Sequence, residues 1–286
     1  MQLINPTTNQ PIDISTGGGI LKINILDYYP EILPLLQNLP SSINKHLNVG
    51  QSPKAKQFFS KFNIGLYNSI NLDNPISYMQ NIDSILNSIP DFGVLQKKVL
   101  NMFEIIFDSK IIIPKVNIDG KQCNIPSFVF RSFEPSQEQN ISHNTLAIDY
   151  HNDDILRDIN YKNLHSQNYI KPLNHIDFLT NVDDSTINLD ISNSSDFDNM
   201  DSRMHKITRD LTQFAFNIVL LPPTVGSITE VLSNDGIDSY APTKIGDLFI
   251  FCCQSPHRIY SSTPTRTTMG GFIVNINSSN KKYIFG

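Results

Sequence analysis

The sequence predicts an α+β protein in which a mainly helical N-terminal third precedes many short strands. Up to about residue 109, apolar side chains recur at helical spacing; from Lys110 onward they form short runs separated by turn residues. A chain of 286 residues, 40% of them hydrophobic, is long enough to bury one large core. We therefore predict a single structural domain, with a helical region at 1–109 and a strand-rich sandwich or barrel at 110–286.

The N-terminal region is predicted to contain one strand and three helices. Residues 1–16 are polar and are expected to form a loose arm, whereas Ile20–Leu26 is an apolar run of strand length. Asp27 is a candidate cap for the first helix, which Pro40 is expected to end, and Asp91 is a candidate N-cap for the third. The predicted helices cover Tyr28–Leu39, Pro75–Ile89 and Phe92–Phe107.

The C-terminal region is predicted to form strands interrupted by one long polar insert. Asp119-Gly120 lies between two strand-like runs, which is a strong hairpin signal. The insert, at about 154–205, is rich in Asn, Asp and Ser, and its length is typical of either a lid or a disordered segment. The other predicted strands are Ser127–Phe133, Leu146–Tyr150, Phe214–Leu221, Ser227–Leu232, Asp247–Cys253 and Gly270–Ile276.

Composition excludes several classes of protein. The net charge is −5 and no stripe of Lys and Arg is visible, which argues against nucleic acid as a partner. Three cysteines are too few for a disulfide framework and suggest a reducing compartment. The first residues lack the charged and apolar parts of a signal peptide, and no apolar run approaches the ~20 residues that span a bilayer. We therefore expect a cytoplasmic protein that does not bind membranes.

Two separated segments carry residues suited to holding a metal ion. His151 and Asp153 are two residues apart at a strand end, so both side chains lie on one face. His257 follows the strand Gly246–Phe251, and Arg266 comes shortly after it, with Thr268 two residues further on. Taken singly, each of these residues is as well explained by a solvated polar side chain, but the joint order is much rarer.

The chemistry of this set is that of a non-haem iron site. Two imidazoles and one carboxylate on one face of Fe(II) leave three positions open, which a 2-oxo acid and dioxygen can take. A cosubstrate with a distal carboxylate also needs a fixed cation, and Arg266 supplies a planar fork for it.

This order and spacing resembles the Fe(II)/2-oxoglutarate-dependent oxygenases, and within them the free-standing alkaloid (hapalindole-type) halogenase/hydroxylase group. The C-terminal motif is the specific part of the resemblance, and the rest is spread thinly over most of the chain. The segments concerned are Gly50-Gln-Ser-Pro53, Ile113-Pro114 to Gly120-Lys-Gln122 and on to Arg131, Gly246–Phe251, His257-Arg258 and Arg266–Phe272.

The resemblance implies a double-stranded β-helix (jelly roll, cupin-like) core with the helical third packed on it. It implies His151, Asp153 and His257 as ligands of Fe(II), with 2-oxoglutarate and dioxygen as cosubstrates. Arg266 would hold the distal carboxylate of 2-oxoglutarate, and Thr268 would assist. Arg131, on a strand bordering the site, would serve the cosubstrate or the substrate, or would be structural.

Within that family the sequence favours hydroxylation, or a related C–H oxidation, of a small molecule in natural product biosynthesis. The halogenases of the group have a small residue where Asp153 stands here, and a carboxylate leaves no room for a halide. An alternative ligand order uses Asp149 and His151 instead. Alternative functions are a hydroxylase that modifies proteins or peptides and an inactive jelly-roll binding module; the oligomeric state is left open.

Overall fold

The structure is a computed structural model and contains more strands than helices. In the part of the chain that the structure describes, the helices with complete bounds are α1 (Leu33–Asn44) and α2 (Phe92–Phe107), and short 3-10 helices lie at Ile25–Asp27 and Pro30–Ile32. Residues 82 and 84–88, within the helix predicted at Pro75–Ile89, are also helical. Among the described residues, no helix has the length and apolar character that crossing a bilayer requires. The described residues are 2–5, 10–13, 18–44, 63–64, 82, 84–113, 115–118, 121–124, 126–133, 146–153, 212–223, 228–260, 266–275 and 281–286.

The strands are numbered β1 to β16 in chain order. The first eight are β1 (Gln2–Asn5), β2 (Gln10–Asp13), β3 (Leu21–Asn24), β4 (Asn63–Ile64), β5 (Lys110–Ile112), β6 (Lys115–Ile118), β7 (Lys121–Asn124) and β8 (Val129–Phe133). The others are β9 (Leu146–His151), β10 (Thr212–Leu221), β11 (Thr229–Ser233), β12 (Gly236–Tyr240), β13 (Asp247–Cys252), β14 (His257–Tyr260), β15 (Arg266–Asn275) and β16 (Lys281–Phe285).

Two sheets position the candidate site. In the larger sheet, the antiparallel strands β3, β13, β10 and β15 lie side by side, and β15 also pairs with β8 and β16. Strand β4 pairs with β8, and β5 pairs with β16 in parallel. The smaller sheet has the antiparallel order β12-β11-β14-β9. From β8 to β10 the chain thus passes from the larger sheet to the smaller sheet, at β9, and back again.

Strand β10 is central in the larger sheet, and its side chains alternate between two environments. Phe214, Phe216 and Ile218 belong to the main hydrophobic core, which α2 covers. The ring of Phe103 in α2 lies 4.6 Å from that of Phe216, and the ring of Phe107 lies 5.3 Å from that of Phe214. The alternate residues of β10 point to the opposite face, which leaves that face for the smaller sheet and the site.

The two sheets contact each other through aromatic rings and one ion pair. The ring of Phe251 on β13 lies 4.9 Å from that of His257 on β14, and Phe249 lies 5.2 Å from Tyr240 on β12. Asp238 of β12 accepts hydrogen bonds from the Ile20 backbone and from the Lys22 ammonium, both at 2.7 Å. These contacts align the ends of β9 and β14 with the inner face of the larger sheet.

Gly246 enters β13 through a turn that requires glycine. Its φ is +83°, and an added Cβ would lie 2.8 Å from the Leu26 side chain. Its amide donates to the Val219 carbonyl, and its own carbonyl accepts from the Ile25 amide. The Asp247 carboxylate accepts hydrogen bonds from the backbone amides of residues 243 and 244. The Gly-Asp pair in the sequence motif is therefore explained by the geometry of this turn.

Three predictions about the helical region are wrong. Helix α1 continues through Pro40 to residue 44, because burial of its apolar face outweighs the single backbone hydrogen bond that proline removes. Asp27 caps nothing; the side chain of Asn24 accepts from the Leu26 amide and caps the 3-10 turn. Asp91 precedes α2 in a left-handed conformation without a side-chain cap.

Other predictions of elements agree with the structure to within a few residues. Helix α2 has the predicted bounds, and β6 and β7 pair around Asp119-Gly120, with Ile118 opposite Lys121. By contrast, residues 2–5 and 10–13 pair as strands β1 and β2, so the predicted loose arm at 1–16 is wrong for these residues. His257 begins a strand, although the sequence placed it just after one. The insert at about 154–205, Gly50–Pro53 and most of the helix predicted at 75–89 lie outside the described residues.

Candidate metal centre

His151, Asp153 and His257 meet at the edge between the two sheets. His151 ends β9 and His257 begins β14, and these two residues are direct partners in the antiparallel ladder. Their rings lie side by side, with centroids 4.2 Å apart. Asp153 follows β9, and its backbone amide donates to the Cys253 carbonyl at 2.9 Å, which fixes the carboxylate beside the rings. Backbone pairing therefore brings His257 to His151 and Asp153, from which it is about a hundred residues distant in the sequence.

The ligand atoms of the three side chains converge. Nε2 of His151 lies 3.8 Å from one Asp153 carboxylate oxygen, and Nε2 of His257 lies 3.5 Å from the other. All three residues offer an atom within 4.8 Å of the others. Two imidazole nitrogens and a carboxylate oxygen are ligands that suit iron, and this set leaves coordination positions open. The donor set therefore fits Fe(II).

The orientation of His257 is fixed by a backbone carbonyl. Its Nδ1 donates to the Ser255 carbonyl oxygen at 3.0 Å, so Nε2 is the nitrogen turned toward Asp153. The His257 ring is buried and also packs against Phe251. Outer partners of this kind select the tautomer and hold the ring of a metal ligand. Ser255 gives no signal in the sequence beyond its position two residues before His257.

Asp153 is held in its ionised form. Burial alone raises the pKa of its carboxyl group. A hydrogen bond from His257 and the charges of His257 and His151 outweigh burial and lower the pKa below its usual range. Arg131 acts weakly in the same direction. A carboxylate that stays ionised is the form a metal ion requires.

The outer face of the same strands carries a second polar cluster. Arg258 donates from Nε and Nη2 to one oxygen of Glu230, both at 2.7 Å, and its guanidinium lies 4.3 Å from the centre of the Tyr150 ring. Tyr150 and Arg258 directly adjoin His151 and His257 in sequence, so strand alternation places them behind the donors. This cluster joins β9, β14 and β11 across the back of the site.

Arg266 and Thr268 lie at the start of β15, on the inner face of the larger sheet. The Arg266 side chain is 1% exposed, and burial, followed by the charge of Arg131, lowers its pKa to about 10. It therefore remains a cation at neutral pH. The Thr268 hydroxyl is also buried and has no hydrogen-bond partner among the described residues. A buried cation beside a hydroxyl that lacks a partner is suited to binding a carboxylate.

Arg131 lies next to this pair. It is directly opposite Thr268 in the β8–β15 ladder, and its guanidinium lies 6.0 Å from the centre of the Phe272 ring. Its positive charge lowers the pKa of both Asp153 and Arg266, so it lies near both groups. The side chain of Asp149, the alternative ligand, lies outside the described part of the chain.

Comparisons with known proteins give only distant likenesses. No family model and no curated protein matches the chain. A solved structure of a novel N-substituted L-amino acid dioxygenase from Burkholderia ambifaria has 13% identity and a TM-score of 0.42, covering 94% of this chain and 87% of that one. The same dioxygenase in complex with alpha-KG has 12% identity and a TM-score of 0.40, with the same coverage. Overlap this loose carries no argument for family or reaction.

Proposed function

We propose that this protein is a non-haem iron oxygenase that couples oxidative decarboxylation of 2-oxoglutarate to C–H oxidation of a small molecule. The observation that carries the proposal is the convergence of His151, Asp153 and His257. Bound Fe(II) would supply dioxygen activation at this triad, with 2-oxoglutarate giving two electrons and leaving as succinate and carbon dioxide. The chain itself would hold the metal and orient 2-oxoglutarate and the substrate beside it.

The proposed cosubstrate site is the inner face of β15. Arg266 pairs with the distal carboxylate of 2-oxoglutarate, and the Thr268 hydroxyl donates to the same group. Both groups are buried, so their interaction with a carboxylate is screened little by solvent. Charge-assisted hydrogen bonds of this kind contribute about 1.5–3 kcal/mol each.

We further propose a jelly-roll core and a hydroxylase outcome. The strand orders β8-β15-β10-β13 and β9-β14-β11-β12, between which the chain alternates, support a double-stranded β-helix. The Asp153 carboxylate stands beside both imidazoles, in the place a halide would need, which favours hydroxylation over halogenation. The C-terminal motif supports nearness to the alkaloid oxygenase group and a role in natural product biosynthesis. A small-molecule substrate remains part of the proposal.

The proposal is tested by metal binding and turnover of His257→Ala. The variant loses one of three donors, so we expect Fe(II) affinity to fall at least about tenfold and succinate formation from 2-oxoglutarate to cease. Anaerobic titration with Fe(II) and a succinate assay measure the two effects. Asn152→Ala is the control, since Asn152 is exposed and lies between two of the ligands without belonging to the donor set. Retention of both properties by His257→Ala contradicts the proposal.

A further inference from the structure

Asn217 interrupts the burial of the central strand. Along β10, residues 213–216 and 218–220 are all buried, whereas Asn217 in their midst is partly exposed. Solvent reaches this point although strands flank β10 on both sides. The side-chain amide of Asn217 forms no hydrogen bond with any described residue. An open space therefore adjoins a polar group in the interior of the larger sheet.

The neighbouring strand leaves room for this side chain. Gly270 of β15 is the direct partner of Asn217, and an added Cβ there would lie 2.6 Å from Asn217 Oδ1 and 2.7 Å from the Phe216 carbonyl. Oδ1 thus occupies the position that a side chain at residue 270 would take. The Nδ2 branch of the amide is left to meet a ligand, and it is a donor.

The Asn217–Gly270 pair lies between the two halves of the proposed site. Two residues before Gly270 on the same face is Thr268, beside the buried Arg266. Two residues after it is Phe272, which pairs through Ala215 with Phe251, whose ring contacts His257. On this face of the sheet, the Asn217–Gly270 pair therefore lies between Arg266, proposed to bind the distal carboxylate, and the proposed metal ligand His257.

We propose that Asn217 is a binding residue for the 2-oxo acid, whose methylene chain passes over Gly270 and one of whose carboxylate oxygens accepts a hydrogen bond from the Asn217 side-chain amide. The inference rests on the proposed function. It explains why a polar side chain occupies a sheet position where apolar residues surround it on the same strand. It also explains why its partner is glycine, because any larger residue would displace the amide from the path of the acid.

The test is calorimetric titration of 2-oxoglutarate into the full chain with Mn(II) in place of iron. Loss of a donor to a charged acceptor in Asn217→Ala is expected to weaken binding roughly tenfold to a hundredfold. Asn217→Asp keeps the shape but places a negative charge against the acid, so it is expected to weaken binding further. Mn(II) affinity and the melting temperature are expected to stay close to those of the wild type in Asn217→Asp. Asn101→Asp, the same change at an exposed site on α2, is the control.

The outcomes separate this inference from the proposed function. If Arg266→Met loses 2-oxoglutarate while both Asn217 variants bind it as the wild type does, the inference is wrong and the function stands. If both variants lose Mn(II) and 2-oxoglutarate together with their fold, Asn217 is structural and the inference is again wrong. If the wild type binds no 2-oxoglutarate, both fail. Selective loss of the acid by either folded variant supports the inference.

Discussion

At the scale of single residues, the site divides its work between two kinds of side chain. The imidazoles and the carboxylate share one edge, whereas the cation that would grip the cosubstrate is buried on another strand. In the proposed function, Arg266 does not itself lower the activation barrier of the reaction. Its contribution is to place a dianion so that the other end reaches the metal.

Replacing Arg266 by methionine should therefore separate the two roles. The side chain keeps much of its volume but loses its charge, so we expect the apparent KM for 2-oxoglutarate to rise at least about tenfold. Fe(II) affinity should be nearly unchanged, because the metal donors are untouched. Initial rates at varied 2-oxoglutarate and anaerobic Fe(II) titration measure the two quantities. An equal loss of affinity for Fe(II) and for 2-oxoglutarate would show instead that Arg266 supports the structure of the whole site.

The sequence predicts these residues as a site because their chemistry follows simple local rules, and the structure brings His151, Asp153 and His257 together. Spacing of two along a strand brought His151 and Asp153 to one face, and a conspicuous basic residue in a Gly-rich strand indicated Arg266. Asn217 gave no such signal. Its exposure depends on the register of β10 against β15, and a single Asn in an apolar strand does not reveal which residue will lie opposite.

At the scale of elements, Asp238 holds the edges of the two sheets together. Its carboxylate, on β12, accepts one hydrogen bond from the backbone amide of Ile20, just before β3, and another from the ammonium group of Lys22 in β3. Burial raises the pKa of Asp238, but the hydrogen bonds from Lys22 and Ile20 outweigh it and lower the pKa below its usual range. The ionised form therefore stabilises the folded protein above the pKa of the unfolded chain, near 4.

Asp238→Asn should reduce stability in a pH-dependent way. We expect it to lower the free energy of unfolding by about 1 kcal/mol at pH 7. The difference from the wild type should shrink as pH falls below about 4, since the wild-type carboxylate then becomes protonated. Urea unfolding at pH 7 and pH 3 measures this. Asp235→Asn, in the exposed turn of the same hairpin, is the control, and a difference that does not depend on pH would refute the role of charge.

Short elements were also where sequence reasoning failed. The strand His257–Tyr260 has only four residues, three of them charged or titratable, and it exists because β9 and β11 flank it. Helix α1 passes through Pro40 because tertiary burial exceeds the local cost. By contrast α2 has a long, regular apolar face, and its bounds follow from the sequence alone.

At the scale of the whole molecule, the apolar core and the site occupy opposite faces of one sheet. Helix α2 packs its rings against Phe214 and Phe216, while the alternate residues of the same strand lie on the face of the candidate metal centre. The side chains that stabilise the fold and those of the candidate site therefore lie on opposite faces of the same strand. Changes on one face should be felt on the other only weakly.

Phe103→Leu tests this separation. The ring packs 4.6 Å from Phe216, so its replacement should lower the free energy of unfolding by about 1–3 kcal/mol. Fe(II) and 2-oxoglutarate affinities should be retained, because the site lies on the other face. Ile105→Ala, at an exposed position of the same helix, is the control and should change stability by less than about 0.5 kcal/mol. A loss of metal affinity in Phe103→Leu would contradict the separation.

The direct pairing of His151 with His257 has a consequence for how such a protein can diversify. The spacing of the donors is set by one rung of a β-ladder and by the bond from Asp153 to the Cys253 carbonyl. A chain with a different segment between residues 153 and 257 is therefore expected to keep the same arrangement of the three side chains, provided that β9 and β14 still pair.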